Sequence, residues 1–312
     1  MTAGQFAGLM QGGGWAVFAV CAAAFSAVFY LINQYLRQPG YLLVFWMRVI
    51  AVVALAPVMG MIALPTDPRF YAGVALTVFF STYGDIRTFD VSAKYGGGVV
   101  SRLQPLIVWG SFAIWFAFDP SLVSFYVGQP LRTLGICAAL GGCVYFAMRM
   151  NRSPLNREAF REMLPALGAY VMTTVLNKYA LMHGPINGAV YGYMFIQSAL
   201  AVFCAGGYAL WRLRNPLPLQ AVRAPVLDVP PWAALPLASL MIAAAWICHM
   251  IYKNYAMIFT VNPAYVAALG LTAPVFIALY YRIVRHKEQE ETLSGYGIVA
   301  CALLLVLLTL RA

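Results

Sequence analysis

His249 and Lys253 stand four residues apart in the stretch "WICHMIYKNYAMIF", Trp246 to Phe259, inside an otherwise apolar run. On a helix that spacing puts an imidazole and an ammonium on one face. Together with Asn254 they could hold an anion by charge-assisted hydrogen bonds. Ser239, Trp246, His249 and Lys253 recur at helical spacing, so this face is expected to be wet. His249 is expected to stay neutral with Lys253 one turn away. A second stretch, "VLNKY" at 175–179, supplies Asn177 and Lys178, with Tyr170 and Thr174 on the preceding turns. Asn33 and Tyr193 add neutral donors or aromatic surface within other apolar runs.

The remaining ionisable groups inside apolar runs are Arg48, Arg87, Arg102, Asp85 and Asp90. Five cations against two carboxylates leave an excess of three positive charges in these runs. A charge at the centre of a membrane helix costs about 2.5–3.5 kcal/mol on insertion scales, so such groups are expected to face a cavity or a partner. Two readings stand side by side for the arginines. Arg87, Asp90 and Lys94 could form a helical ladder of salt bridges, and Asp85 could neutralise Arg48 or Arg102 across a bundle. Alternatively the arginines face the same anion as Lys178 and Lys253, for which no carboxylate stands well inside spans six to ten. Either lysine could instead snorkel to the surface.

The elements that carry these residues follow from composition. The 312 residues are 62% hydrophobic and 10% charged, and mean hydropathy is +0.77. An ordinary soluble domain carries about 25% charged residues. The chain is therefore expected to be a polytopic all-α membrane protein. Ten spans are expected near 13–36, 41–64, 70–93, 97–118, 130–149, 161–183, 187–211, 232–258, 263–283 and 292–311. No basic residue precedes Arg37, so the first span lacks the basic start of a secretion signal. The loops on one side hold Arg37, Arg149, Arg152, Arg157, Arg161, Arg212, Arg214, Arg223, Arg282, Arg285 and Lys287. The other side holds Arg69, Arg132 and Arg311. The positive-inside rule then puts the first group in the cytoplasm and both termini outside, in a cell inner membrane.

The polar linker "RMNRSPLNREAFRE" at 149–162 divides the chain into residues 1–150 and 151–312. The parts resemble each other. Pro105 in "LQPLIVWG" matches Pro274 in "LTAPVFIA", and Asp119 matches Glu288. Gly135 in "LRTLGICAAL" matches Gly297 in "LSGYGIVACA", and "LINQY" matches "VLNKY". A repeated unit of five spans must cross the membrane in opposite senses. This implies two inverted five-helix repeats with a binding site near the midplane.

This layout resembles the drug/metabolite transporter superfamily, of the ten-helix EamA-like type. The carriers of the resemblance are the duplicated five-helix unit and the two prolines with an acidic residue about fourteen positions later. "VLNKYALMHG" at 175–184 is also similar to the Asn-Lys segment of the triose-phosphate and nucleotide-sugar transporter branch. The resemblance implies a secondary transporter or exchanger working by alternating access. Its substrate would be a small polar metabolite, anionic by the excess of cations: a phosphorylated sugar, nucleotide sugar, organic acid or amino acid. An amino-acid or amphiphile exporter with structural cations, and a lipid-handling membrane protein, stay open as alternatives.

Enzyme chemistry is not expected. HExxH, Walker and nucleophile-elbow motifs are absent, so neither catalytic nor metal residues nor a cofactor are expected. The six cysteines, Cys21, Cys137, Cys143, Cys204, Cys248 and Cys301, all fall in predicted spans without metal-ligand spacing. The net charge of +10 lies at span ends, not in a nucleic-acid footprint. The expected partners are a small-molecule substrate and the lipid bilayer, with the chain a monomer or homodimer.

Overall fold

The computed structural model describes residues 3–36, 38–95, 100, 103–150, 157–215, 231–284 and 292–310. They are helical almost throughout, with no strand among the described residues. The helices are α1 (Ala3–Leu9), α2 (Trp15–Leu36), α3 (Gly40–Met59), α4 (Pro68–Tyr95), α5 (Pro105–Phe118), α6 (Ser121–Gly128) and α7 (Pro130–Met150). They continue with α8 (Arg157–Leu181), α9 (Ile186–Arg214), α10 (Pro231–Phe259), α11 (Pro263–Gly270), α12 (Ala273–Ile283) and α13 (Thr292–Thr309).

Proline sets many of the starts. It is the first residue of α4, α5, α7, α10 and α11, where its missing N–H has no helical partner to lose. Asn262 caps α11 by accepting the backbone N–H of Ala264 at 2.9 Å. At α4, Asp67 accepts the N–H of Arg69 at 2.9 Å and takes its guanidinium as well. That guanidinium, aided by the backbone bond, holds the exposed Asp67 carboxyl below the usual carboxylate range. A carboxylate lowered in this way stabilises the fold above about pH 4, and the contribution fades as pH falls through the lowered value. Between α1 and α2 a π turn over Met10–Gly14 holds Gly13 at φ +106°, a backbone region that side-chain-bearing residues seldom adopt.

Among the described residues, six helical stretches are long and apolar enough to cross a membrane: Gln5–Leu36, Gly40–Met59, Pro130–Arg149, Ile186–Arg212, Ala233–Phe259 and Pro263–Ile283. A seventh counts if α5 and α6, bent by 116° at Asp119–Pro120, are one broken span. This many apolar helices make a multi-pass membrane protein. Helices α4 and α8 stand where the third and sixth spans are expected, but their charges keep them below that measure of apolarity. Where the tenth is expected, α13 is a shorter apolar helix. The short α6 falls in a stretch read from sequence as a loop. Arg37, Arg102, Arg152, Arg223, Arg285, Lys287, Glu288 and Arg311 lie outside the described residues.

Helix pairing follows a simple exchange. α2 packs on α10 and α4 packs on α8; α3 pairs with α9, α5 with α11, and α7 with α13. Swapping residues 1–150 for 151–312 turns the first of these pairs into the second and leaves each of the others paired with itself. The α7–α13 seam repeats this at the level of side chains. A Cβ on Gly135 would press on Leu308, and one on Gly297 would collide with Phe146. Leu308 and Phe146 each stand eleven positions beyond the glycine of their own helix.

Candidate functional site

Both broken helices point their breaks inward. α5 starts at Pro105 after a turn at Gln104, and α12 starts one residue before Pro274 after a turn at Leu271–Thr272. Pro at the second helical position removes an N–H that the preceding turn would otherwise have to satisfy. Gln104, Ile107, Gly270 and Leu271 from these breaks help to line a cavity of about 160 Å³. The rest of its wall comes from α2, α3, α4, α8, α9, α10 and α11, hence from both parts of the chain.

The charged groups of the cavity meet in one cluster. Arg48 on α3 gives Nη2 to Asp85 Oδ2 on α4 at 2.6 Å, and its guanidinium lies over the Trp246 ring, 4.1 Å from the centroid. Tyr170 on α8 donates its hydroxyl to Asp85 Oδ1 at 3.0 Å. Both carboxylate oxygens are thus engaged. Arg48 is 1% exposed, yet its Nε and Nη1 have no partner among the described residues. A buried guanidinium with two idle donors is costly unless something else accepts from it. Lys253 also lines the cavity and makes no hydrogen bond or salt bridge with any described residue; the nearby charges that act on it are Asp85 and Arg48. His249 Nδ1 bonds the Ala22 carbonyl at 2.8 Å, and a carbonyl can only accept, so this nitrogen carries the proton. Its Phe29 neighbour meets the ring edge-on at 5.6 Å between centroids.

The candidate residues named from sequence separate into two groups. Arg48, Asp85, His249 and Lys253 come together on the cavity wall. Asn33, Arg87, Asn177, Lys178, Tyr193 and Asn254 are placed away from it, and Arg102 lies outside the described residues. Asn33 donates to the Phe89 carbonyl at 3.1 Å and to Ser92 Oγ at 3.0 Å, tying α2 to α4. Asn177 donates to Asn254 Oδ1 at 3.1 Å, tying α8 to α10. The two asparagines of "LINQY" and "VLNKY" therefore make matching joints rather than ligand contacts. Lys178 neither snorkels nor faces the cavity. Its ammonium donates to the carbonyls of Met257 (2.7 Å), Ile258 (3.2 Å) and Thr260 (2.8 Å) where α10 ends. These are the carbonyls a helix end leaves without intrahelical donors.

The expected ladder along α4 is also replaced. Lys94 reaches Glu162 on α8 at 2.7 Å, joined by the Tyr95 hydroxyl at 3.1 Å. Asp90 instead accepts the backbone N–H of Gly40 at 2.9 Å. Gly40 is required there, since a Cβ would collide with the Ile86 carbonyl.

Sequence reasoning missed Tyr30, Gln104, Gln197 and Ser81. Gln104 donates to the Tyr30 hydroxyl across the cavity wall, and Gln197 donates to Ser81 Oγ at 3.0 Å. As neutral polar side chains they carry no charge signal. Gln104 could have been found from its place directly before the repeated proline.

Two sets of contacts tie helices together toward the two ends of the bundle. At one, the Lys94–Glu162 pair stands with Tyr281 donating to Gln34 Oε1 at 2.8 Å. At the other, the Tyr126 and Tyr265 hydroxyls share a hydrogen bond of 2.5 Å between α6 and α11. No ≥3-residue cluster of His, Cys, Asp or Glu suited to a metal occurs among the described residues. No family profile matches the chain, and no curated protein is similar to it.

Proposed function

We propose that the protein is a secondary transporter that carries a small anionic metabolite through the central cavity by alternating access. The observation that carries this reading is the unsatisfied positive charge on the cavity wall: the idle Nε and Nη1 of Arg48 and the unpaired ammonium of Lys253. An anion would satisfy both. The duplicated sequence features, the exchangeable helix pairing and the matched Gly135–Leu308 and Gly297–Phe146 contacts support ten spans in two inverted repeats. Such repeats place a site between discontinuous helices, as the breaks at Gln104 and Leu271–Thr272 would. Together these features favour a transporter of the drug/metabolite type.

Alternating access needs a closure on each side of the site. The Lys94–Glu162 and Gln34–Tyr281 contacts supply one, and Tyr126–Tyr265 the other. The arginine-rich loops assign the first of these to the cytoplasm. This orientation predicts labelling in a background with the six cysteines replaced. A membrane-impermeant maleimide should reach Met61→Cys, between α3 and α4, in intact cells. Asn215→Cys, after α9, should react only once the membrane is permeabilised. The opposite pattern would invert the protein and swap the two mouths.

The test of function is Lys253→Met, which keeps much of the length of the side chain and removes its charge. A library of small organic anions, screened for thermal stabilisation of the purified protein, supplies the ligand. Loss of a charge-assisted hydrogen bond costs about 1.5–3 kcal/mol, roughly ten- to more than hundredfold in affinity. Uptake of that anion into proteoliposomes should fall accordingly, with the variant as well folded as its parent. Undiminished uptake by Lys253→Met would remove this site from the mechanism.

A further inference from the structure

Taking the cavity as the transport site, as proposed above, we infer that its ligand is a small monocarboxylate with an apolar or aromatic body and no ammonium group. Charge is the first reason. The ionisable side chains on the wall are Arg48, Lys253, Asp85, His249, Tyr30 and Tyr170. With the tyrosines and His249 neutral, two cations face one carboxylate, and one positive charge is left over. A monoanion brings the charge of the wall to zero. A phosphate monoester, with about −1.5 to −2 charges at pH 7, would overshoot and leave net negative charge in a poorly solvated space.

The second reason separates acids from amino acids. A zwitterion needs an acceptor for its ammonium as well as donors for its carboxylate. Asp85 is the carboxylate on the wall, and both its oxygens are already engaged by Arg48 and Tyr170. An ammonium would enter beside two cations, its carboxylate already shared with Arg48 and Tyr170, and the idle acceptor on the wall, Gln197 Oε1, is a neutral amide. A carboxylate meets the idle Arg48 nitrogens and Lys253 instead.

Size and wall chemistry give the third reason. A cavity of about 160 Å³ is close to the ~150 Å³ apolar cavity that takes up benzene, and well below the roughly 300–1,000 Å³ of drug-sized sites. This space is small for a nucleotide sugar. Away from the charges, Phe29, Phe89, Met47, Met250, Ile242 and Val266 line the wall beside neutral hydroxyls and amides such as Thr174 and Gln197. The apolar side chains suit a hydrocarbon body, and the few neutral polar groups between them are too sparse for the many hydroxyls of a sugar.

The experiment is calorimetric titration of the purified full chain with ligands of matched body and different head. Benzoate and hexanoate are the carboxylates; benzamide is the neutral isostere, phenylalanine the zwitterion and phenyl phosphate the dianion. At least one carboxylate should bind at least tenfold more tightly than the other three, and Lys253→Met should bring benzoate down to the level of benzamide. If phenylalanine or phenyl phosphate binds as tightly as the carboxylates and depends on Lys253, the substrate class is wrong while the site stands. If carboxylate binding is unchanged in both Lys253→Met and Arg48→Lys, the site itself is wrong. No binding by any of the five overturns the class. The comparison of benzoate with benzamide on the unmodified protein does not depend on any variant folding.

Discussion

Asp85→Asn is expected to lose about 3–5 kcal/mol of stability, the cost of leaving one partner of a buried ion pair uncompensated. Arg48 is 1% exposed and Asp85 Oδ2 is the partner of its Nη2 at 2.6 Å, so an amide there leaves a buried guanidinium without its counter-charge. Tyr170 keeps an acceptor in the amide oxygen, so its hydroxyl is not the main loss. The excess charge of the cavity rises from one to two at the same time. A shift of this size should appear as a large drop in the thermal midpoint of the purified protein. Adding Arg48→Met to Asp85→Asn should restore most of it, because replacing both members of a buried pair is often close to neutral. Transport should not return with stability, since the double variant lacks the idle Arg48 donors. A single variant that melts with the parent would mean that the pair contributes nothing net. A double variant that carries the anion at the parent's rate would mean that Arg48 does not hold it.

The positions of this pair were legible in the sequence only as alternatives. Arg48 and Asp85 lie 37 residues apart on different helices, and sequence offered Arg102 as an equal partner for the carboxylate. What sequence could specify were features that repeat or are periodic. The apolar runs gave the helices; Pro105 and Pro274 gave two matched positions in the repeat; His249 and Lys253 gave one face of α10. Features set by long-range geometry were not legible. Lys94 meets Glu162 rather than Asp90 because α4 packs along α8, a neighbour that i,i+4 counting along one helix cannot see. The bend into α6 also escaped, because an eight-residue helix after a proline reads locally as a loop. Tyr193 was singled out for its interior place, and it is indeed buried, but packed away from the cavity.

The two lysines of the second part of the chain show the same limit, and their variants should behave in opposite ways. In sequence Lys178 and Lys253 are alike: each sits in an apolar stretch of helix, several turns from any carboxylate. In the fold, Lys178 is spent on three main-chain carbonyls because α10 ends at Phe259, beside the point where α8 carries that ammonium. Lys178→Met would leave the carbonyls of Ile258 and Thr260 without their side-chain donor, while the Met257 carbonyl keeps the Thr260 hydroxyl. Each unsatisfied buried group costs about 1–3 kcal/mol, so a total of roughly 2 kcal/mol or more is expected, enough to fray the end of α10. That end carries Lys253, so transport should fall as a consequence of lost structure. Lys253→Met removes a charge that no described residue pairs with, so stability should hold or rise while ligand affinity falls. Hydrogen exchange of the amides at 250–259, with thermal midpoints for both variants, separates the cases. Protection should drop sharply in Lys178→Met and stay near the parent in Lys253→Met. Equal protection in the two variants would show that the carbonyl cap does not hold α10, and would put Lys178 back among the candidates for contact with the anion.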